Sequence, residues 1–260
     1  MATPEPSFTV RSLGGPSALL SYGGVTILVD PTFDPPGDYP IGNRVLTKTA
    51  GPALGPDEVG AVDVVLLSHD QHPDNLDRGG RDYVDTARLV LSTRSAEERL
   101  GGAVLGLPNW VSQEFDRPEG GTVLVTGVPA LHGPEGSEPV VGEVTGFVLT
   151  GSGLPTVYIS GDNASLDRVR EIAERYAPVD VALLFAGGAR TPLLGDAYLT
   201  LNSAAAAEAA AVLRAGAVVP LHFEQWAHFS EGAEALRAAF AAAGLSDRLR
   251  LLQPGESTSF

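Results

Sequence analysis

Two nearly identical runs, Val62–Leu67 (VDVVLL) and Val179–Leu184 (VDVALL), set the terms for any fold this chain can adopt. Each is a short, almost unbroken apolar stretch closed by a polar or glycine-rich turn. Such a run suits a strand buried on both faces, which requires material packed above and below the sheet. The segments around them alternate in kind. Phe8–Ser12, Ala18–Tyr22 and Val25–Val29 are short strand-like runs separated by Gly14-Gly15-Pro16 and Gly23-Gly24. Leu89–Leu91, Val111–Phe115, Val123–Val128, Glu143–Leu149 and Thr156–Ser160 read as further strands. Leu166–Tyr176 has helical spacing, with Asn163 or Ser165 as its cap. Asn202–Ala215 is an Ala-rich helix capped by Asn202 or Ser203, and Glu231–Ala243 is a helix ended by Gly244. Ala217–Leu221 and Leu249–Leu252 complete the strands, and residues 34–54, rich in Pro and Gly, read as a long irregular loop. The pattern predicts an α/β fold of two mixed sheets with helices outside, formed by a single domain over 1–260 with two pseudo-repeated halves.

Composition narrows the chemistry. The 260 residues contain no Cys, which removes disulfides, thiolate metal sites and a Cys nucleophile. A net charge of −15 argues against a nucleic-acid partner, which needs a basic face. No apolar stretch approaches the ~20 residues of a membrane span, and MATPEPSFTV lacks the form of a secretory signal. The expected setting is therefore cytoplasmic, with a small-molecule partner; the oligomeric state is left open. Lysine occurs once, at Lys48, against sixteen Arg, as a GC-rich coding bias or salt adaptation would produce.

The five His carry the functional argument through their placement. Ser68-His69-Asp70-Gln71-His72-Pro73-Asp74-Asn75-Leu76-Asp77 begins where a buried strand ends, the position at which α/β proteins gather ligand sites. His69, His72 and Asp74 are an imidazole and carboxylate set suited to a divalent metal; the plainer alternative is a polar turn after a core strand. His132 follows an apolar strand in VPALHG, Asp162 ends a strand in YISGDN, and His222 ends one in VVPLHF. Asp162 taken alone fits a helix N-cap as well as a ligand. One shared ligand cluster accounts for all four strand ends. His228 follows closely, as a substrate contact, a proton donor or a half-buried neighbour of Trp226.

The motifs ILVDPTF (27–33), SHDQHPDNLD (68–77), VPALHG (128–133), YISGDN (158–163) and VVPLHF (218–223) together resemble the metallo-β-lactamase superfamily. Within it the chain is most similar to the lactonase-like branch of ascorbate-6-phosphate lactonase relatives and the N-acyl-phosphatidylethanolamine phospholipase D type. The resemblance spans about Gly14 to Gly255. It implies a four-layer αβ/βα sandwich and one or two divalent ions, zinc first, with manganese, nickel or iron as alternatives. It implies metal ligands at His69, His72, Asp74, Asn75, His132, Asp162 and His222. Asp30 would orient a ligating His from behind. Two departures stand out. An extra residue separates His69 from His72, and Asn75 replaces the final His of the family motif, so one firmly held ion and a weaker second are expected. A Gly-His pair the family often carries before its second strand is here Gly14-Gly15-Pro16-Ser17.

The implied chemistry is hydrolysis by a metal-bound hydroxide of an ester, lactone, amide or phosphodiester, with Asp74 and His228 as catalytic groups. The alternative is a non-catalytic member of the fold that binds metal or a small ligand. A di-iron oxidoreductase is disfavoured because a flavin partner domain and a full carboxylate ligand set are lacking.

Overall fold

In the computed structural model, which describes residues 7–260, β1 (Phe8–Gly14), β2 (Ser17–Tyr22) and β3 (Val25–Val29) form an antiparallel meander. A hairpin of β4 (Gly37–Ile41) and β5 (Arg44–Lys48) stands apart as its own ribbon. The chain then passes through α1 (Pro56–Val59) into β6 (Val64–Leu66), which lies parallel to β3. α2 (Arg78–Thr86), β7 (Val90–Ser92), α3 (Arg94–Leu100) and β8 (Val104–Gly106) extend that parallel edge.

The second sheet repeats the change of direction. β9 (Ser112–Asp116), β10 (Thr122–Pro129), β11 (Thr145–Gly151) and β12 (Val157–Ile159) run antiparallel, with α4 (Glu138–Val141) between β10 and β11. α5 (Leu166–Tyr176), β13 (Val181–Phe185), α6 (Ser203–Val212) and β14 (Ala217–Leu221) add two parallel strands. α7 (Ala233–Ala242) follows, and β15 (Ser257–Ser259) returns to pair with β1.

Side-chain alternation explains why the strands within the two runs lack polar positions. Val64 and Leu66 of β6 enter the same core as Val181, Leu183 and Phe185 of β13, which is the layer between the sheets. Val65 and Leu67 face outward into the core that contains Val84 and Ala96 from α2 and α3. Ala182 and Leu184 face the opposite outer core, with Val169, Ala206 and Leu236 from α5, α6 and α7. Both strands therefore bury both faces. The result is the four-layer arrangement of helices, sheet, sheet and helices.

Two readings of the sequence need correction. Residues 34–54 are not an irregular loop, because the β4–β5 hairpin spans 37–48 and its strands meet in register from Gly37↔Lys48 to Ile41↔Arg44. Their connection is the two-residue Gly42-Asn43, with Gly42 at φ 57°, a conformation glycine adopts cheaply in tight hairpins. Pro40 inside the run hides the strand, since proline is tolerated only in edges and ribbons such as this one. Leu249–Leu252 forms no strand; Leu249 makes one isolated bridge to Val218, and Ser257–Ser259 is the closing strand instead. Beside the strands expected at Leu89–Leu91 and Val111–Phe115, the 78–118 stretch holds α2, α3 and β8, with Asp77 capping α2 through the Gly80 amide. No helix among the described residues is long and apolar enough to cross a membrane.

Candidate metal centre

The site lies where strands of both sheets end. Asp30 follows β3, Ser68 and His69 follow β6, His132 follows β10, Asp162 follows β12 and His222 follows β14. Five short strands thus deliver side chains from rigid elements to one place. The structure brings together His69, His72, His132 and Asp162 in one group and Asp74, Asp162 and His222 in another, each within 4.8 Å. Asp162 is common to both.

The His trio is fixed from outside. His132 Nδ1 donates to the Leu199 carbonyl (2.8 Å), so its Nε2 carries the lone pair. The single Ser68 hydroxyl proton goes to Asp30 Oδ2 (2.6 Å), which leaves Ser68 Oγ to accept from His69 Nδ1 (3.0 Å) and bares His69 Nε2. His72 Nδ1 then sits 2.9 Å from His69 Nε2 and 3.2 Å from His132 Nε2. One Nδ1–H can satisfy only one of these contacts. A cation at their meeting point satisfies all three nitrogens.

Burial favours the neutral imidazoles a metal requires. It pushes His132 down to about 3 and His69, His72 and His222 below the usual range, with neighbouring cationic side chains adding to the effect. The carboxylates are crowded in the opposite sense. Burial, reinforced by the Asp74 and Asp30 charges, pushes Asp162 well up. Asp30 rises to about 7, driven by burial and held back by hydrogen bonds from Asn75 and Ser68. Burial also opposes the Asp74 charge, but His228 and His222 outweigh it and hold that carboxyl well below its ordinary value.

The second group is less saturated. Asp74 Oδ2 lies 3.2 Å from His222 Nε2 and 3.0 Å from His228 Nε2. Asp74 Oδ1, His222 Nδ1 and His228 Nδ1 are buried without a hydrogen-bond partner among the described residues. His222 Nδ1 is 3.3 Å from Asp162 Oδ1. His222 also adopts φ 56°, which costs a non-glycine residue on the order of 1–3 kcal/mol, and its amide is tethered to the Gly15 carbonyl at 2.7 Å. The Gly14-Gly15 turn thus supports His222 through its backbone. Unpartnered nitrogen and oxygen atoms facing a buried, acid-rich space fit a divalent ion.

Asn75 takes a distinct place. Its Nδ2 donates to Asp30 Oδ2 (3.0 Å) and to Asp162 Oδ1 (3.1 Å), which joins the two carboxylates, while Oδ1 has no partner. Asp162 does not cap α5; Ser165 does, through the Arg168 amide. His228 reaches Asp74 and also packs beside Trp226, with ring centres 6.3 Å apart and 18% of its side chain exposed. Asp30 contacts His69 through Ser68 rather than directly.

Several participants escaped the sequence reading. Asn163 Oδ1 accepts from the Leu131 amide (3.0 Å) and so ties the His132 turn to the Asp162 turn. Gly161 holds φ 54°, and a Cβ there would press on Ser68 and the Thr145 carbonyl. The lone lysine is buried: Lys48 Nζ pairs with Asp77 Oδ2 at 2.9 Å, and Asp77 also accepts from the Phe33, Asp34 and Gly80 amides. β5 further bonds to the His228 segment through Thr49 N to Gln225 O (2.8 Å) and Ala227 N to Thr47 O (3.0 Å). The hairpin therefore forms one wall of a narrow cavity of about 30 Å³ that opens onto His72, Asp74 and His228. Clearer signals existed for some of these, notably the Gly42-Asn43 pair.

Comparison with known proteins agrees with this architecture. Residues 25–223 match the Beta-lactamase superfamily domain, and the chain belongs to this metallo-β-lactamase superfamily. A UPF0173 metal-dependent hydrolase of Pyrococcus furiosus is 27% identical over 248 residues, covering 94% of this chain and 96% of the relative. Among solved structures, an isothiocyanate hydrolase from Delia radicum gut bacteria superposes with a TM-score of 0.81 at 18% identity, covering 97% of this chain and 98% of the other. A metallo hydrolase of Ignicoccus hospitalis gives a TM-score of 0.71 at 22% identity, with coverage of 97% and 98%.

Proposed function

We propose that this metal-dependent hydrolase cleaves an ester or lactone bond of a small molecule, with amide and phosphodiester bonds as the wider class. One observation carries the reading: three imidazole nitrogens, two of them bare by hydrogen-bond accounting, converge, with His72 Nδ1 2.9 Å from His69 Nε2 and 3.2 Å from His132 Nε2, and have too few protons to satisfy one another. His69, His72, His132 and Asp162 would hold one ion, and Asp74, Asp162 and His222 a second. The first set is the more completely supported, so it is the firmly held position; zinc suits its nitrogen donors best. An ion bound there acidifies water and polarises the oxygen of the bond under attack.

The chain's own groups handle the protons. Asp74 keeps Oδ1 free of any protein partner and its carboxyl ionised, which equips it to take a proton from water beside it. His228 Nε2 shares Asp74 Oδ2 and reaches the cavity, so it is placed to deliver a proton to the leaving group. Asn75 steadies Asp162 and Asp30 by donating to both, a positioning role that leaves its Oδ1 as the only route to direct ligation. The net charge of −15 supports a small-molecule partner over nucleic acid, and the reading takes the enzyme to act in the cytoplasm.

The test is a screen of esters, lactones and phosphodiesters with zinc, manganese, nickel or iron, run beside elemental analysis. Metal-dependent turnover that His72→Ala and His132→Ala both remove supports the proposal. Metal uptake without turnover on any substrate would replace it with the non-catalytic binding reading. Unchanged turnover in both variants would refute it.

A further inference from the structure

The cavity beside the candidate metal centre has a wall of unusual sign for so acidic a chain. Arg44 stands at the first position of β5, half-buried at the tip of the hairpin, and lines the cavity together with His72, Asp74 and His228. Its Nη1 donates to the hydroxyl of buried Thr191 at 2.6 Å. Among the described residues, no carboxylate lies within 4.0 Å of it and no other side-chain hydrogen bond uses its guanidinium. Arg190 lines the same cavity, its guanidinium carbon 4.2 Å from the centre of the Tyr198 ring, again with no carboxylate partner.

A guanidinium offers five N–H donors in a planar fork, and Thr191 uses one. The rest form a bidentate receptor for a carboxylate or phosphate. Arg44 is also held in place: Lys48 anchors its strand to Asp77, and Thr47 and Thr49 bond to the segment that carries His228.

We infer that Arg44, assisted by Arg190, binds an anionic group of the substrate, so that this enzyme takes acyl compounds bearing a carboxylate or phosphate close to the scissile bond. The inference rests on the hydrolase reading for the word substrate, but its test does not need turnover. Glutarate and butyrate share one carboxylate that an ion can take; only glutarate has a second for Arg44. Calorimetric titration of metal-loaded native protein gives glutarate an affinity about tenfold or more above butyrate. Arg44→Gln abolishes that preference while butyrate affinity and metal content stay as they were. Arg190→Gln reduces it, and Arg44→Lys restores part of it. The same split appears in kinetics: for the para-nitrophenyl monoester of glutarate, Arg44→Gln raises KM about tenfold with kcat kept, and the matching butyrate ester is unaffected.

Equal affinities in native protein, or a glutarate preference that survives Arg44→Gln, would overturn the inference. If Arg44→Gln erases the preference yet neither ester is hydrolysed, the anion site stands and the choice of ester chemistry fails. If both esters are hydrolysed with equal KM, the hydrolase stands and the anion site fails.

Discussion

Two groups of side chains meet at Asp162, and they are secured in opposite ways. His69 and His132 are oriented from behind, by Ser68 and Asp30 on one side and the Leu199 carbonyl on the other. Asp74, His222 and His228 mostly contact one another, retain unpartnered buried atoms, and include a residue in the left-handed region. The first arrangement fixes tautomer and aim before any ion arrives, which is what tight binding rewards. The second leaves lone pairs uncommitted, which suits groups that exchange protons. The contrast separates holding from reacting.

The largest effect expected from this contrast is in the trio. His132→Ala or His72→Ala removes the tightly held equivalent of metal and lowers turnover by about a thousandfold or more, read by elemental analysis and initial rates. A full metal equivalent remaining after dialysis of His132→Ala would dissolve the distinction. Asp74→Asn comes next: kcat falls by about 10²–10⁴ while one equivalent of metal remains. Loss of all metal from that variant would mean that Asp74 holds rather than reacts. Ser68→Ala cuts the link from His69 to Asp30 and weakens metal affinity by about 10–100-fold, measured by competition with a chelator; an unchanged constant would show that the link does not aim the imidazole.

The smallest effect is in the pH dependence of metal-free stability. The folded His132 titrates at about 3, below its unfolded value of 6.5, so its contribution is complete above pH 6.5 and is lost as pH falls towards 3. His69, His72 and His222 act with the same sign. Asp30, raised from 3.8 to about 7, acts oppositely: its contribution is complete below 3.8 and is lost as pH rises through 7. Asp162 shares that sign. Four imidazoles act against two carboxylates, so acidification from pH 7 to 5 lowers stability. Thermal melts of metal-free protein that stay level or rise over that range would contradict the neutral trio.

Most of the coordinating set could be read from sequence because strand ends announce themselves. VDVVLL before Ser68-His69 and VVPL before His222 are apolar runs that stop abruptly at a polar side chain. What supports those groups was harder to see. Ser68, Asn163 and Leu199 act through single hydrogen bonds that depend on the folded path and leave no periodic trace. The hairpin was obscured by Pro40 and by a ribbon whose inner face is mostly half-buried and mixes Tyr39, Ile41 and Leu46 with Arg44 and Lys48, so its strands lack the apolar alternation that marks β1 to β3. Leu249–Leu252 misled in the other direction: its apolar residues pack against helices without joining a ladder beyond one bridge.

Lys48 has a consequence for the reactivity of the protein surface. It is the one lysine of the chain, and its Nζ is shut away against Asp77 and beneath Trp226. An enzyme acting on esters and lactones works among acylating compounds, and amines are the side chains those compounds modify most readily. Among the described residues every exposed Lys or Arg is an arginine, whose guanidinium keeps its proton and is a poor nucleophile. The folded protein therefore presents no lysine amine to acylating compounds, and amine-directed labels or crosslinkers would find no lysine on its surface.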